Sequence, residues 1–255
     1  MRLRSPRKLR PGEEATLVEH LDELRVRMFI ALGALGACSV FAYVFHHRLL
    51  EWLNAPLPER LKPTTLGVAE PFLISIKVSL FAGFGLALPI VLWQTWAFFA
   101  PAVNERAQRQ VVGFVGLATA LLVGGALFGY FLALPASIHY LTNYDKDQYN
   151  QLIQAKSYYS FEMLVLGAVA LVFELPVVVV ALVRIGILTT TQLRRNRRIG
   201  YFVVACLAVA LPGVDPVTTV VEGLPLVVLY ELSIWLAVLL ERRARRLAAE
   251  GAAPA

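Results

Sequence analysis

The sequence predicts an all-α integral membrane protein with six transmembrane helices, and three observations predict it. The first is composition. The 255 residues are 58% hydrophobic and 16% charged, with a mean hydropathy of +0.63, whereas a soluble domain carries roughly 25% charged residues. The second is six apolar runs, at about 26–46, 72–98, 110–136, 160–183, 199–212 and 217–240. The third is the placement of cations. An even number of spans leaves both termini on one side, and 18 of the 24 Lys and Arg fall there. They form the stretches Arg2 to Arg27, Arg106 with Arg109, Arg184 to Arg198, and Arg242 to Arg246. The other side and the span ends there hold Arg48, Arg60, Lys62, Lys77, Lys146 and Lys156. The positive-inside rule places both termini in the cytoplasm. The net charge of +6 is therefore an orientation signal and predicts no nucleic-acid partner.

The expected organisation is a cytoplasmic N-terminal segment over residues 1–25, a membrane domain over 26–240, and a basic cytoplasmic tail over 241–255. Residues 1–25 are polar and lack the short apolar core of a cleavable signal peptide. Thr16 and Glu19 read as a capping box. Leu17, Leu21, Leu24 and Met28 then recur at helical spacing, opposite Glu19, Asp22 and Glu23. This amphipathic helix is expected to lie along the interface before turning into span 1. The first external segment, His46 to Pro71, contains Pro56, Pro58, Pro63, Pro71 and Trp52, and should be an ordered cap.

In span 2, Pro89 predicts a kink, and Trp93, Trp96, Phe98 and Phe99 form an interfacial aromatic belt. Span 3 contains Gly125 and Gly129, a small-xxx-small pattern that permits close helix contact. The second external segment, His139 to Ser160, is polar and tyrosine-rich. Spans 5 and 6 are predicted to be short. Ile199 to Leu211 would extend about 20 Å as a helix, and Glu222 and Glu231 interrupt the last apolar run. Helices this short either thin the bilayer or hide behind neighbours. Cys38 and Cys206 lie inside apolar runs and read as small packing residues rather than a disulfide or metal site.

Two groups of carboxylates carry the functional expectation. Glu174 stands alone in the apolar run from Met163 to Val183, two residues before Pro176. A carboxylate at mid-depth costs on the order of 2.5–3.5 kcal/mol on insertion scales, so it should face a cavity, a partner helix or a polar path. Glu222 belongs with it, Glu231 lies nearer the cytoplasmic end, and Lys77 is a candidate counter-charge. The second group is Glu19, Asp22 and Glu23 with Glu105 in the following loop. Two readings stand for Glu23: an i,i+4 pair with Arg27 worth a few tenths of a kcal/mol, or part of an acidic recess for a cationic peptide. No phosphate-binding glycine loop, metal-ligand cluster or nucleophile–base pair is present, and the four histidines are scattered. The sequence therefore predicts neither an enzyme nor a metal or cofactor site.

At this point the motifs resemble those of the TatC family, the receptor subunit of twin-arginine protein translocases. The similarity rests on His20-Leu-Asp-Glu23-Leu-Arg25, Ala55-Pro56-Leu57, Pro71-Phe72 with Lys77, and Trp93 through Ala102. It continues through Phe131 with Pro135, Phe173-Glu174-Leu175-Pro176, and Asp215 in the last external turn. In order, these motifs cover about Thr16 to Glu241. The resemblance implies a cupped six-helix protein of the cytoplasmic (inner) membrane that binds signal peptides bearing two arginines. It also implies single-span partners of the TatA and TatB type, self-association, and drive from the proton-motive force.

The family's first acidic residue corresponds to Glu23, with His20 and Arg25 beside it. The loop glutamate falls at Ala107 by ungapped counting, so Glu105 takes that role only with a two-residue shift. Pro212 and Thr219 stand where the family has Thr and Gln, and Glu222 would restore polarity near Thr218 and Thr219. Pro56, Phe72, Lys77, Asp215 and Thr219 are expected to dock partners or hold the structure. Two rivals remain. One is a proton-coupled small-solute transporter using Glu174, which should show paired broken helices in symmetric halves. The other is a passive assembly scaffold.

Overall fold

The computed structural model describes residues 17–99, 111–149, 151–184, 187–211 and 216–250. Among these residues the regular secondary structure is helical, apart from an isolated bridge between Thr64 and Gln154. Five helical rods are long and apolar enough to cross a membrane: His20–Val44, Glu70–Phe98, Gly113–Asn143, Ala155–Arg184 and Pro216–Arg242. The chain divides into two compact units, residues 1–52 with 67–119 and residues 53–66 with 120–255.

The first unit is built on α1 (Leu17–Val44) and α3 (Glu70–Phe99). α1 is one unbroken helix of 28 residues. This corrects the expected turn between an interfacial helix and span 1. No Gly or Pro falls between Leu17 and Met28, and a turn there would unpair backbone groups that a continuous helix satisfies. The cap expected at Thr16 lies outside the described residues. Leu21, Leu24 and Met28 are exposed. The polar side of the same turns faces α3, where His20 stacks on Phe98 with ring centroids 4.3 Å apart and Arg27 reaches Gln94.

One antiparallel register runs from these contacts to Ser39 against Gly83. A Cβ on Gly83 would lie 2.5 Å from the Ser39 Cα, so only glycine allows the two backbones this close. Buried Ala42, Val78, Ser79 and Ala87 continue this small-residue seam. α3 continues through Pro89 as a single helix.

α4 (Val111–Phe128) begins in the first unit and ends in the second, where it passes through a π segment, Gly129–Ala133, into α5 (Leu134–Asn143). The wider turn comes just before Pro135, which has no N–H to donate, and Leu134 N–H bonds to the Gly129 carbonyl instead. Gly125 and Gly129 both pack on α6 (Ala155–Phe173). A Cβ on Gly125 would lie 2.8 Å from the Phe173 Cβ, and one on Gly129 3.2 Å from the Leu166 Cδ2. The small-xxx-small pattern therefore does mark a close helix contact. α6 ends at Phe173 with Glu174 as its C-terminal cap, and α7 (Leu175–Arg184) begins one residue before Pro176.

A short α8 (Thr190–Arg195), opened by a Thr189–Gln192 capping box, leads to α9 (Arg197–Ala210). α9 has 14 residues, about 21 Å of rise, and is as short as predicted. α10 (Pro216–Glu250) is not. Its 35 residues form one helix, correcting the expected short sixth span. Glu222 and Glu231 do not interrupt it, because both sit on faces that meet protein. Glu222 is buried, and Glu231 accepts a hydrogen bond from Tyr201 and pairs with Arg197 at 3.4 Å. Val204, Ala208, Leu211, Leu226, Tyr230 and Ile234 form the α9–α10 core.

The His46 to Pro71 segment opens with a helix the sequence reading did not foresee, α2 (His46–Asn54). The rest of it belongs to an ordered cap, as expected. Thr64 exchanges backbone hydrogen bonds with Ile153 and Ala155, both at 2.8 Å. Tyr158 donates to the Leu53 carbonyl at 2.9 Å and Tyr159 to the Asn54 Oδ1 at 3.0 Å. Cys38 and Cys206 are free thiols.

The close approach at Gly83 gives a prediction with an internal control. Gly83→Leu should lower the thermal unfolding midpoint of the purified protein, since overpacking costs about 1–3 kcal/mol. Gly85→Leu, where an added Cβ meets nothing within 4 Å, should leave the midpoint unchanged.

Candidate functional site

Three polar regions emerge. The first is the α3-facing turn of α1. His20, Glu23 and Arg27 follow at helical spacing of three and four, so they share one side of the helix. Arg27 donates from Nε and Nη2 to Glu23 Oε1, at 2.9 and 2.5 Å, and from Nη1 to Gln94 Oε1 at 3.3 Å. The Glu23 and Arg27 side chains are 15% and 24% exposed. The pair predicted from i,i+4 spacing therefore forms, in a half-buried setting, with the carboxylate held between two α1–α3 contacts. Both bonds fall on Oε1, and Glu23 Oε2 accepts none among the described residues.

Arg25 lies elsewhere on the helix, exposed, its guanidinium 5.8 Å from the centre of the Phe29 ring. Asp22 is exposed. Glu105, with Arg106, Ala107 and Arg109, lies outside the described residues. Lys77 is exposed on α3 and pairs with no carboxylate among the described residues. Phe72 is exposed near the start of α3.

The second region is Glu174. Its backbone N–H donates to Leu171 O at 3.1 Å, and its carbonyl accepts from Val177 and Val178 at 2.9 and 3.1 Å. The backbone is thus satisfied across the break that Pro176 imposes. The side chain is half-buried and forms no ion pair among the described residues. Its Oε1 is inaccessible and has no hydrogen-bond partner there.

The third region is a seam along α10. Ser137 and Thr218, both fully buried, share a 2.7 Å hydrogen bond that joins α5 to α10. Glu222 lies one turn further along and is 2% exposed. It is the polar member of a small hollow otherwise lined by Phe128, Val169, Val172, Phe173, Leu211 and Leu226. Glu222 and Thr218 stand one turn apart on the buried side of α10, and Thr219 beside Thr218 is half-buried. Glu231 is structural, because it ties α10 to α9 through Tyr201 and Arg197. Asp215 and Pro212 lie outside the described residues. Pro56 is half-buried in the cap.

The sequence reading passed over Glu162. It is completely buried on the inner side of α6, on a stripe with Tyr158, Tyr159, Val165 and Val169. Neither carboxylate oxygen meets hydrogen-bond geometry with a described group. The signal was there in its spacing, four residues after Tyr158 and three before Val165, on the stripe that must face inward. Among the described residues, no three His, Cys, Asp or Glu side chains converge as a metal site.

Comparison with known proteins adds to this geometry. A family profile described as "Sec-independent protein translocase protein (TatC)" matches residues 19–225. The chain is similar to the Sec-independent protein translocase protein TatC of Desulforapulum autotrophicum, 33% identical over 229 residues, covering 88% of this chain and 85% of the relative. It is similar also to that of Carboxydothermus hydrogenoformans, 34% identical over 224 residues, covering 87% and 92%. Two crystal structures of the twin arginine translocase receptor TatC superpose with TM-scores of 0.72 and 0.74 at 32% and 31% identity. Each covers 86% of this chain, and the match covers 98% and 99% of the respective solved chain. The profile match spans most of the chain and the relatives align over nearly their whole length, so this multi-pass membrane protein belongs to the TatC family of Sec-independent protein translocases.

Proposed function

We propose that this chain is the signal-peptide receptor of a twin-arginine translocase, exporting folded proteins across the cytoplasmic membrane. The observation that carries the reading is Glu23. Its carboxylate is half-buried, fixed in orientation by Arg27, and has one oxygen open among the described residues. In such a recess a charge-assisted bond to guanidinium exceeds its value on an open surface. Glu23, flanked by His20 and Arg25, would take one arginine of the pair, and Glu105 the other.

Six crossings follow if α9 spans the membrane alongside the five longer rods. Its 14 residues would then require a locally thinned bilayer. Both termini would face the cytoplasm, where most of the arginines fall. Half-buried Glu174 supplies a polar group within the hydrocarbon region, where single-span partners of the TatA and TatB type could bring their own polar side chains, while the buried seam of Ser137, Thr218 and Glu222 supports the helices behind it. Pro56, Phe72, Lys77, Asp215 and Thr219 are proposed to support that docking, with the proton-motive force as driver and self-association in the working complex. A solute transporter using Glu174 is not favoured by family membership.

Two measurements test the reading. Glu23→Ala should reduce photo-crosslinking of the full-length protein to a twin-arginine signal peptide by about tenfold, the scale of a lost charge-assisted bond. Undiminished, arginine-dependent crosslinking would remove Glu23 from the role. Glu174→Leu should weaken co-purification of single-span partners in mild detergent, whereas Glu174→Gln, which keeps hydrogen-bonding capacity, should retain it. Equal recovery with both variants would leave Glu174 no part in docking.

A further inference from the structure

We infer that Arg27 is an internal competitor for the guanidinium site on Glu23, and that this competition is what makes a single arginine insufficient. The inference deepens the receptor reading and rests on it.

Arg27 already supplies what an incoming arginine would supply. Two of its N–H donors converge on Glu23 Oε1 and a third reaches across to Gln94 on α3. The pair as a unit carries no net charge, so a distant cation feels little attraction to it. Nothing else among the described groups draws Arg27 away. Asp22 is exposed, Arg25 lies over Phe29, and His20 is stacked on Phe98. A guanidinium that binds side-on uses both carboxylate oxygens, and Arg27 holds Oε1, so a peptide with one arginine exchanges one guanidinium for another at Glu23, with little net gain. A peptide with two keeps a second guanidinium for another acidic group, and the exchange becomes favourable overall.

Gln94 makes the exchange inexpensive. Its Oε1 already accepts from Arg27 Nη1, so the displaced side chain keeps one anchor on α3. A peptide lysine competes poorly, because an ammonium cannot reproduce the two N–H donors that Arg27 places on one oxygen. A simple helix staple between Glu23 and Arg27 would predict something else. Its loss would change stability and leave the affinities for one- and two-arginine peptides untouched.

The test uses the purified full-length chain with synthetic signal peptides carrying Arg-Arg or Arg-Gln, and dissociation constants measured by fluorescence anisotropy. Arg27→Gln should tighten binding of the Arg-Gln peptide by roughly two- to fivefold, the factor that corresponds to a partly exposed ion pair. The Arg-Arg peptide makes the same exchange at Glu23 and should tighten by a similar factor. Arg27→Lys, which keeps the charge and the apolar stem, should move both values in the same direction by less, and it serves if the glutamine variant does not fold. Unchanged or weaker binding of the Arg-Gln peptide to both variants would overturn the competition. Glu23→Gln separates this from the receptor reading. If the wild-type chain shows no arginine preference, or Glu23→Gln leaves Arg-Arg binding intact, the reading itself fails, whatever Arg27 does.

Discussion

A carboxylate taken out of water must be given another partner, and that constraint shapes every polar feature of this protein. The chain meets it differently at each acidic residue. Glu23 is neutralised by Arg27. Glu231 is tied to Tyr201 and Arg197, and Glu241 accepts from Thr190. The contacts of Glu231 and Glu241 fasten α10 to α9 and α8, whereas Glu23 and Arg27 both stand on α1. Glu174 and Glu162 are handled otherwise, since each has an inaccessible oxygen outside hydrogen-bond geometry with the described groups. Glu231 and Glu241 hold helices together, whereas Glu174 is half-buried with an oxygen that no described group occupies.

Packing and function are linked through the same helices. α1 and α3 approach closely because Gly83 admits Ser39. In the same register, two turns of α1 bring His20 and Arg27 to Phe98 and Gln94. The orientation of Glu23 is therefore set partly by glycine-to-serine packing well along the helix pair. In the other unit, Gly125 and Gly129 let α4 and the π segment press on α6. That packing delimits the hollow beside Glu222 and the stripe that holds Glu162.

Much of this was legible in the sequence. Composition and apolar runs gave a helical membrane protein, Pro176 gave the break at Glu174, and the 13 apolar residues from Ile199 to Leu211 foretold a short α9. The i,i+4 spacing foretold the Glu23–Arg27 pair. Where the reading failed, tertiary contact had overridden a local pattern. Glu222 and Glu231 looked like interruptions because hydropathy counts a carboxylate as a cost wherever it stands. Glu222 is instead buried beside residues of α4 and α6, and Glu231 is bonded to Tyr201 and Arg197 of α9, so neither breaks α10, which runs 35 residues. The expected bend before span 1 followed from amphipathicity alone, but the polar side of that helix had α3 to face. Glu162 was missed because its depth depends on where the helix begins, and Ala155 precedes the first strongly apolar stretch.

The account's central claim is that Glu23 receives a peptide guanidinium directly. A double-mutant cycle measures that contact, combining Glu23→Gln in the protein with Arg→Gln at one signal-peptide arginine. Direct pairing predicts a coupling of at least about 1 kcal/mol between the two changes, confined to one of the two arginines. Strict additivity at both arginines would contradict it.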